Sequence, residues 1–253
     1  MENQDVCIVK VHDYITRKIE IGRHINRFQH ESDLEGLLKD LPIHVGQGAM
    51  KGIIFQNETA VELGNPAKGS VAFTIWTKTP GYVRNGEITL IGPNLTDTCE
   101  ESLPFGQIIL LASPSINERH IFSLDNVQFI SDHIEGYMVR SAPRRVWSRV
   151  SKDNIQKGFS FEILGKALIA LCKMQIFPEL EVEVLFVTSN KEDVMELELI
   201  GDQVRENTAK VKKAVLDGWR GEDCEGLDCD SCIDKEVCDE LRELLVMKRR
   251  ERR

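Results

Sequence analysis

Residues 41–217 predict an α/β domain, a mixed sheet with flanking helices, and residues 218–253 predict a small cysteine-rich segment attached to it. Three observations carry this. Runs rich in β-branched and aromatic residues, bounded by Gly, Asn and Pro, recur between residues 52 and 112. A helix–strand–helix–helix order follows over 151–247, and four of the seven cysteines fall between 224 and 238. With 42% hydrophobic and 29% charged residues, the composition is that of an ordinary soluble globular protein.

The N-terminal segment, 1–40, is polar and mixed, and Val6-Cys7-Ile8-Val9 fits the start of either a strand or an amphipathic helix. Cys7 reads as a small buried hydrophobe, whereas His12, His24 and His30 stand among charged residues and read as surface histidines. Strand signals begin at Gly52-Ile-Ile-Phe-Gln56 and continue over 70–77, before a turn at Pro80-Gly81. Residues 87–91 and 106–112 read as buried strands on either side of an acidic connector that holds Cys99. Residues 118–140 read as an amphipathic helix limited by Gly136 and Pro143. From 144 to 150 long polar and apolar residues alternate, so a half-exposed strand is expected to carry guanidinium groups along one face.

Phe161, Leu164, Leu168 and Leu171 then follow a helical stripe that ends before Pro178. Residues 181–188 predict a strand. Ser189 with Glu192 offers a capping box for a helix whose apolar face is Leu197, Ile200, Val204, Val211 and Val215, stopped by Gly218 or Gly221. Gly46-Gln-Gly48 lacks the Lys and Ser/Thr of a phosphate loop and reads as a plain turn. Neither G-x-S-x-G nor H-E-x-x-H occurs.

Cys224, Cys229, Cys232 and Cys238 are spaced C-x4-C-x2-C-x5-C, close enough for their thiolates to converge on one soft metal centre. Structural zinc usually takes two C-x2-C pairs separated by a longer insert. Here all four ligands lie in one run whose first three share the C-x4-C-x2-C step of a ferredoxin loop, which favours a [4Fe–4S] cubane over zinc. Disulfides fit least, because no secretion signal is seen and the other cysteines read as buried apolar positions. After the run, Asp234 can cap a last helix with Val237, Leu241, Leu244 and Leu245 as its stripe, before a basic tail.

A formal net charge of −9 argues against a general nucleic-acid binder. The longest apolar runs, such as Ile108-Ile-Leu-Leu-Ala112, are strand-sized, so no membrane span is expected and a cytoplasmic protein is.

Several stretches occur in a telling order: Gly86-Glu-Ile-Thr-Leu-Ile-Gly-Pro-Asn-Leu95, Leu103-Pro-Phe-Gly106, His133-Ile-Glu-Gly136, Val146-Trp-Ser-Arg-Val-Ser-Lys-Asp153 and Lys157-Gly158-Phe159. Together, over roughly residues 43–215, they resemble the beta subunit of the CO dehydrogenase/acetyl-CoA synthase complex, which assembles acetyl-CoA from a methyl group, CO and CoA. The resemblance implies an anaerobic one-carbon setting, with a corrinoid protein or dehydrogenase as partner. It also places Cys229-Asp-Ser-Cys232 where the family's cluster motif starts.

The downstream Cys-Gly-Cys that holds nickel in that family is absent from this sequence, so a short, divergent member without the nickel half of the synthase site is expected. The family's arginine- and tryptophan-containing region is linked to CoA, and Arg144, Arg145, Trp147 and Arg149 fall within the matching stretch. Guanidinium groups suit phosphates and an indole can stack on a base. Three readings follow: an electron-transfer or partner-docking iron–sulfur protein, a CoA-dependent acyl or methyl transferase subunit, and a zinc-stapled interaction module.

Overall fold

The computed structural model describes residues 2–30, 33–39, 41–46, 59–117, 120–127, 133–142 and 145–218. Helix α1 (Glu2–Glu20), strand β1 (Ile25–Gln29) and helix α2 (Leu34–Leu38) come first. Strands β2 (Ala60–Leu63), β3 (Ser70–Thr77), β4 (Glu87–Ile91), β5 (Ser102–Leu103) and β6 (Phe105–Ala112) follow. Next are helix α3 (Ile121–Asn126), strands β7 (Tyr137–Ala142) and β8 (Arg145–Ser151), and helices α4 (Lys152–Gln156) and α5 (Phe161–Gln175). Strand β9 (Glu181–Val187) and helix α6 (Lys191–Gly218) complete the described chain. One compact unit runs from Met1 to Lys212; the second, Lys213–Arg253, is described only as far as Gly218.

Two mixed sheets form. The larger has the order β1-β4-β9-β6-β3, and the smaller the order β5-β2-β8-β7. In the larger sheet β4 and β9 are parallel, as are β3 and β6, while β6 meets β9 antiparallel with Ile108 opposite Leu185. All eight residues of β3 and of β6 are buried, which is why both read as continuous apolar runs instead of alternating ones.

One face of this sheet is covered by α1 and α6. Cys7, Ile8, Val11, Tyr14 and Ile15 from α1 and Val194, Leu197, Ile200 and Val204 from α6 join Phe73, Ile75, Ile108, Leu110, Leu185 and Val187 in one buried cluster. The α1 residues recur at three- and four-residue steps, and that period makes the segment a helix where a four-residue window leaves strand and helix equal.

On the opposite face, Phe161 of α5 packs with Phe105 and Phe186, ring centroids 5.2–6.0 Å apart. Gly165 lets α5 approach β4 closely: a Cβ there would lie 2.7 Å from Cδ1 of Ile88. Gly165→Ala is therefore expected to cost about 1–3 kcal/mol through overpacking, read as a lowered denaturation midpoint. The smaller sheet also lies against the larger one, with β8 beside β3, and Tyr137 of β7 donates to Oε1 of Gln107 of β6 at 3.2 Å.

The structure corrects the sequence reading at four places. The helix expected over 118–140 is not one helix: among the described residues α3 spans six, and Gly136, with φ +77°, turns the chain into β7. A Cβ on Gly136 would fall 2.3 Å from Cγ of Asn154, so only glycine fits that turn. The cap of α6 is Asn190, whose Oδ1 accepts the Asp193 N–H at 2.8 Å, while Ser189 donates to the Asp193 carboxylate instead of pairing with Glu192.

The histidines also differ from expectation. His12 is part-buried with Nε2 3.0 Å from the Glu183 carboxylate, and His30 lies 3.2 Å from Glu162; His24 is exposed as expected. Finally, Cys7 and Cys172 are buried but Cys99 is exposed. The strand expected at 52–56 and the helix expected after 234 lie outside the described residues. Among the described residues, no helix is long and apolar enough to cross a membrane.

Candidate functional site

Two regions carry the residues singled out by the sequence. The first is the face of the smaller sheet turned away from the core. Strand alternation sends Ser148 and Val150 of β8 inward, where both are fully buried, and leaves Trp147 and Arg149 half-buried on the other face. The Arg149 guanidinium lies over the Trp147 ring, 5.1 Å from its centroid, and 3.7 Å from the Glu62 carboxylate on the neighbouring β2. Glu62 also accepts from Asn65 Nδ2 at 2.9 Å.

Two of the four residues singled out in the sequence, Trp147 and Arg149, are therefore in contact, with an acidic neighbour that the sequence alone did not indicate. Arg145 begins β8 opposite Ala142, and Arg140 of β7 stands opposite Trp147. Arg144 lies outside the described residues. A planar cation stacked on an indole suits an aromatic or phosphorylated ligand. Here the same cation already faces a carboxylate, so an anionic ligand would compete with Glu62.

The second region is the end of the larger sheet where β4 and β9 exit. Gly92, with φ +115°, lets the two exits cross: its Cβ position lies 2.4 Å from the backbone N of Ser189. Thr188 donates from Oγ1 to the Pro93 carbonyl at 2.7 Å. Asn94 turns its Oδ1 to the first amide of α5, Phe161, at 3.0 Å, while Ser160 caps the same helix at Ile163. Gly69, just before β3, lies against Lys191 at the start of α6. The Gly-Pro-Asn and Leu-Pro-Phe-Gly stretches thus meet at one end of the sheet, where Asn94 and Phe105 contact the start of α5 and the Phe105 amide bonds the carbonyl of Gly69 beside the start of α6. The roles of Asn94 and Asn190 as caps were missed from sequence, although an Asn just ahead of an apolar-periodic run is a usable signal.

The family model of the CO dehydrogenase/acetyl-CoA synthase complex beta subunit matches residues 41–194, more than half of the chain. The chain belongs to this family. The acetyl-CoA decarbonylase/synthase complex subunit beta of Methanopyrus kandleri is 28% identical over 166 residues, 63% of this chain and 35% of the relative. Subunit beta 2 of that complex from Methanosarcina thermophila is 30% identical over 141 residues, 52% of this chain and 28% of the relative. Subunit beta from Archaeoglobus fulgidus is 29% identical over 153 residues, 58% of this chain and 28% of the relative. The chain spans about a third of the length of the curated relatives it matches, and at this identity it is a divergent member of the beta-subunit family.

The beta-subunit match takes in both regions described above but stops at residue 194, before the cysteine run. Cys224, Cys229, Cys232 and Cys238 all lie outside the described residues. Among the described residues no group of three or more His, Cys, Asp and Glu side chains is placed to hold a metal. Of the remaining cysteines, Cys172 is sealed in α5, where burial pushes its thiol up to about 12, so it stays protonated and unreactive at neutral pH.

Proposed function

We propose that this chain is an iron–sulfur relative of the acetyl-CoA synthase beta subunit that serves one-carbon or methyl-transfer metabolism by electron transfer or partner docking. The division that goes with this reading is an N-terminal segment 1–40, an α/β domain 41–217 and a four-cysteine segment 218–253. The observation that carries it is the C-x4-C-x2-C-x5-C run following, in the same chain, a domain of this family. Four thiolates so spaced fit a [4Fe–4S] cubane: the cluster supplies one-electron chemistry, and Cys224, Cys229, Cys232 and Cys238 hold it. Asp223, Asp228, Asp230 and Asp234 stand beside the ligands in sequence, and their negative charge lowers its reduction potential. The partner is a component of an anaerobic one-carbon complex, a corrinoid protein or a dehydrogenase, and the compartment is the cytoplasm.

Protein purified without oxygen is expected to be brown and to carry about four irons per chain. Cys232→Ser is expected to lose most of that iron. A colourless product with one zinc and no visible absorbance would replace this reading with the zinc-stapled module. Full iron in Cys232→Ser would remove that position from the ligand set.

A CoA-binding role for Arg144, Arg145, Trp147 and Arg149, as in a CoA-dependent acyl or methyl transferase subunit, is favoured by one observation, the stacking of Arg149 on Trp147. It is expected to show as a change of Trp147 fluorescence and a raised melting temperature with CoA. No change in either at saturating CoA sinks it.

A further inference from the structure

Helix α6 has 28 residues and so runs for about 42 Å, whereas the eight-residue strands it covers span only about 27 Å. Its contribution to the buried cluster ends at Val204, fourteen residues before Gly218. Beyond that point Glu206, Asn207 and Lys210 stand among Thr208, Val211 and Val215, a stretch too short to stay helical in water without tertiary support.

That support is α1. Salt bridges and hydrogen bonds between the two helices, which run antiparallel, track α6 from its first turn past the end of the cluster. Lys18 Nζ reaches Asp193 at 2.8 Å and Glu196 at 2.6 Å, and Arg17 meets Glu196 at 2.7 Å. Lys10 donates to Gln203 at 2.6 Å, Asn207 faces the Cys7 sulfur at 3.9 Å, and Gln4 donates to Thr208 at 3.3 Å, the last pair buried. Both α1 and all of α6 beyond Val194 lie outside residues 41–194, the stretch that the family model matches.

We infer that α1 is a strut: it holds α6 helical past the end of the buried cluster, through residues 204–212. The contacts that carry this do not depend on a metal being bound.

Amide hydrogen exchange on the full chain tests it. Val6→Pro uncoils the first turn of α1 at an exposed position while leaving Tyr14 and Lys18 in place. Protection at residues 204–212 is expected to fall at least tenfold, with residues 194–200 and strands β3, β6 and β9 unchanged and Val6→Ala indistinguishable from the parent. Should Val6→Pro fail to fold, Gln4→Ala combined with Lys10→Ala removes two of the contacts without touching the helix, and a threefold or greater loss confined to 204–212 is expected. Unchanged protection at 204–212, or a loss spread evenly through the sheet strands, overturns the strut. Iron content, measured on the same samples, reports separately on the metal reading.

Discussion

Gly92→Ala is expected to cost more than about 4 kcal/mol and to deplete soluble protein, whereas Gly158→Ala costs only about 1–2 kcal/mol. Both glycines have φ values disfavoured for other residues, +115° and +101°, so both substitutions incur a backbone penalty. They differ in what a Cβ would meet. At Gly158 nothing lies within 4 Å, while at Gly92 the added carbon falls 2.4 Å from the Ser189 nitrogen and 2.7 Å from its Cα. Those are backbone atoms, and they cannot swing aside as a flexible side chain would. Relief requires the exits of β4 and β9 to separate, which breaks the Thr188 N–H bond to the Ile91 carbonyl at 2.8 Å and strains the Pro93 contact. Chemical denaturation of the two variants side by side measures the difference. Equal midpoints would mean that the Gly-Pro-Asn stretch is not built around this crossing.

That crossing also shows what the sequence could and could not reveal. Strands β3, β4, β6 and β9 were legible because each is a short, almost wholly buried apolar run between turn residues. The order β1-β4-β9-β6-β3 was not, because strand pairing depends on contacts far apart in sequence. Strand β7 was masked by the apolar residues before it, which continue a helical period up to Gly136.

The Trp147–Arg149 contact followed from alternation along β8, since residues two apart share a face. Its carboxylate neighbour Glu62 did not follow, because it comes from a strand more than eighty residues earlier. His12 failed as a surface residue for the same reason: its partner Glu183 is a buried carboxylate 171 positions away. Local pattern fixes which residues share a face and says little about what stands opposite.

Lys18→Met is expected to destabilise the protein by about 3–5 kcal/mol and to change how its stability depends on pH. Lys18 and Asp193 are both almost wholly buried, and the ammonium is shared between Asp193 and Glu196. Removing it strands the Asp193 carboxylate with only Arg23, at 2.9 Å, and Ser189 to answer it; Tyr14 bonds the Asp193 backbone carbonyl instead. Burial alone would raise the Asp193 carboxyl. The hydrogen bonds from Lys18 and Ser189, with the charges of Lys18 and Arg23, outweigh that and hold it below its usual range. Glu196, paired with Lys18 and Arg17, is lowered in the same way against its own burial.

A carboxyl lowered on folding contributes stability above its unfolded pKa, roughly 4, and loses it as pH falls through the folded value. Lys18 is raised, its carboxylate partners outweighing burial, so its share is full below its unfolded pKa and lost as pH rises through the folded value. The share contributed by Lys18, Asp193 and Glu196 should therefore hold a plateau between about pH 5 and pH 10 and weaken on both sides. In Lys18→Met the alkaline loss from this group disappears and the acid loss shrinks, because Asp193 no longer favours ionisation so strongly. Denaturation midpoints across that range test both limbs. An acid limb as steep as the parent's would show that Arg23 and Ser189 suffice to hold Asp193 ionised, and that Lys18 acts through packing alone.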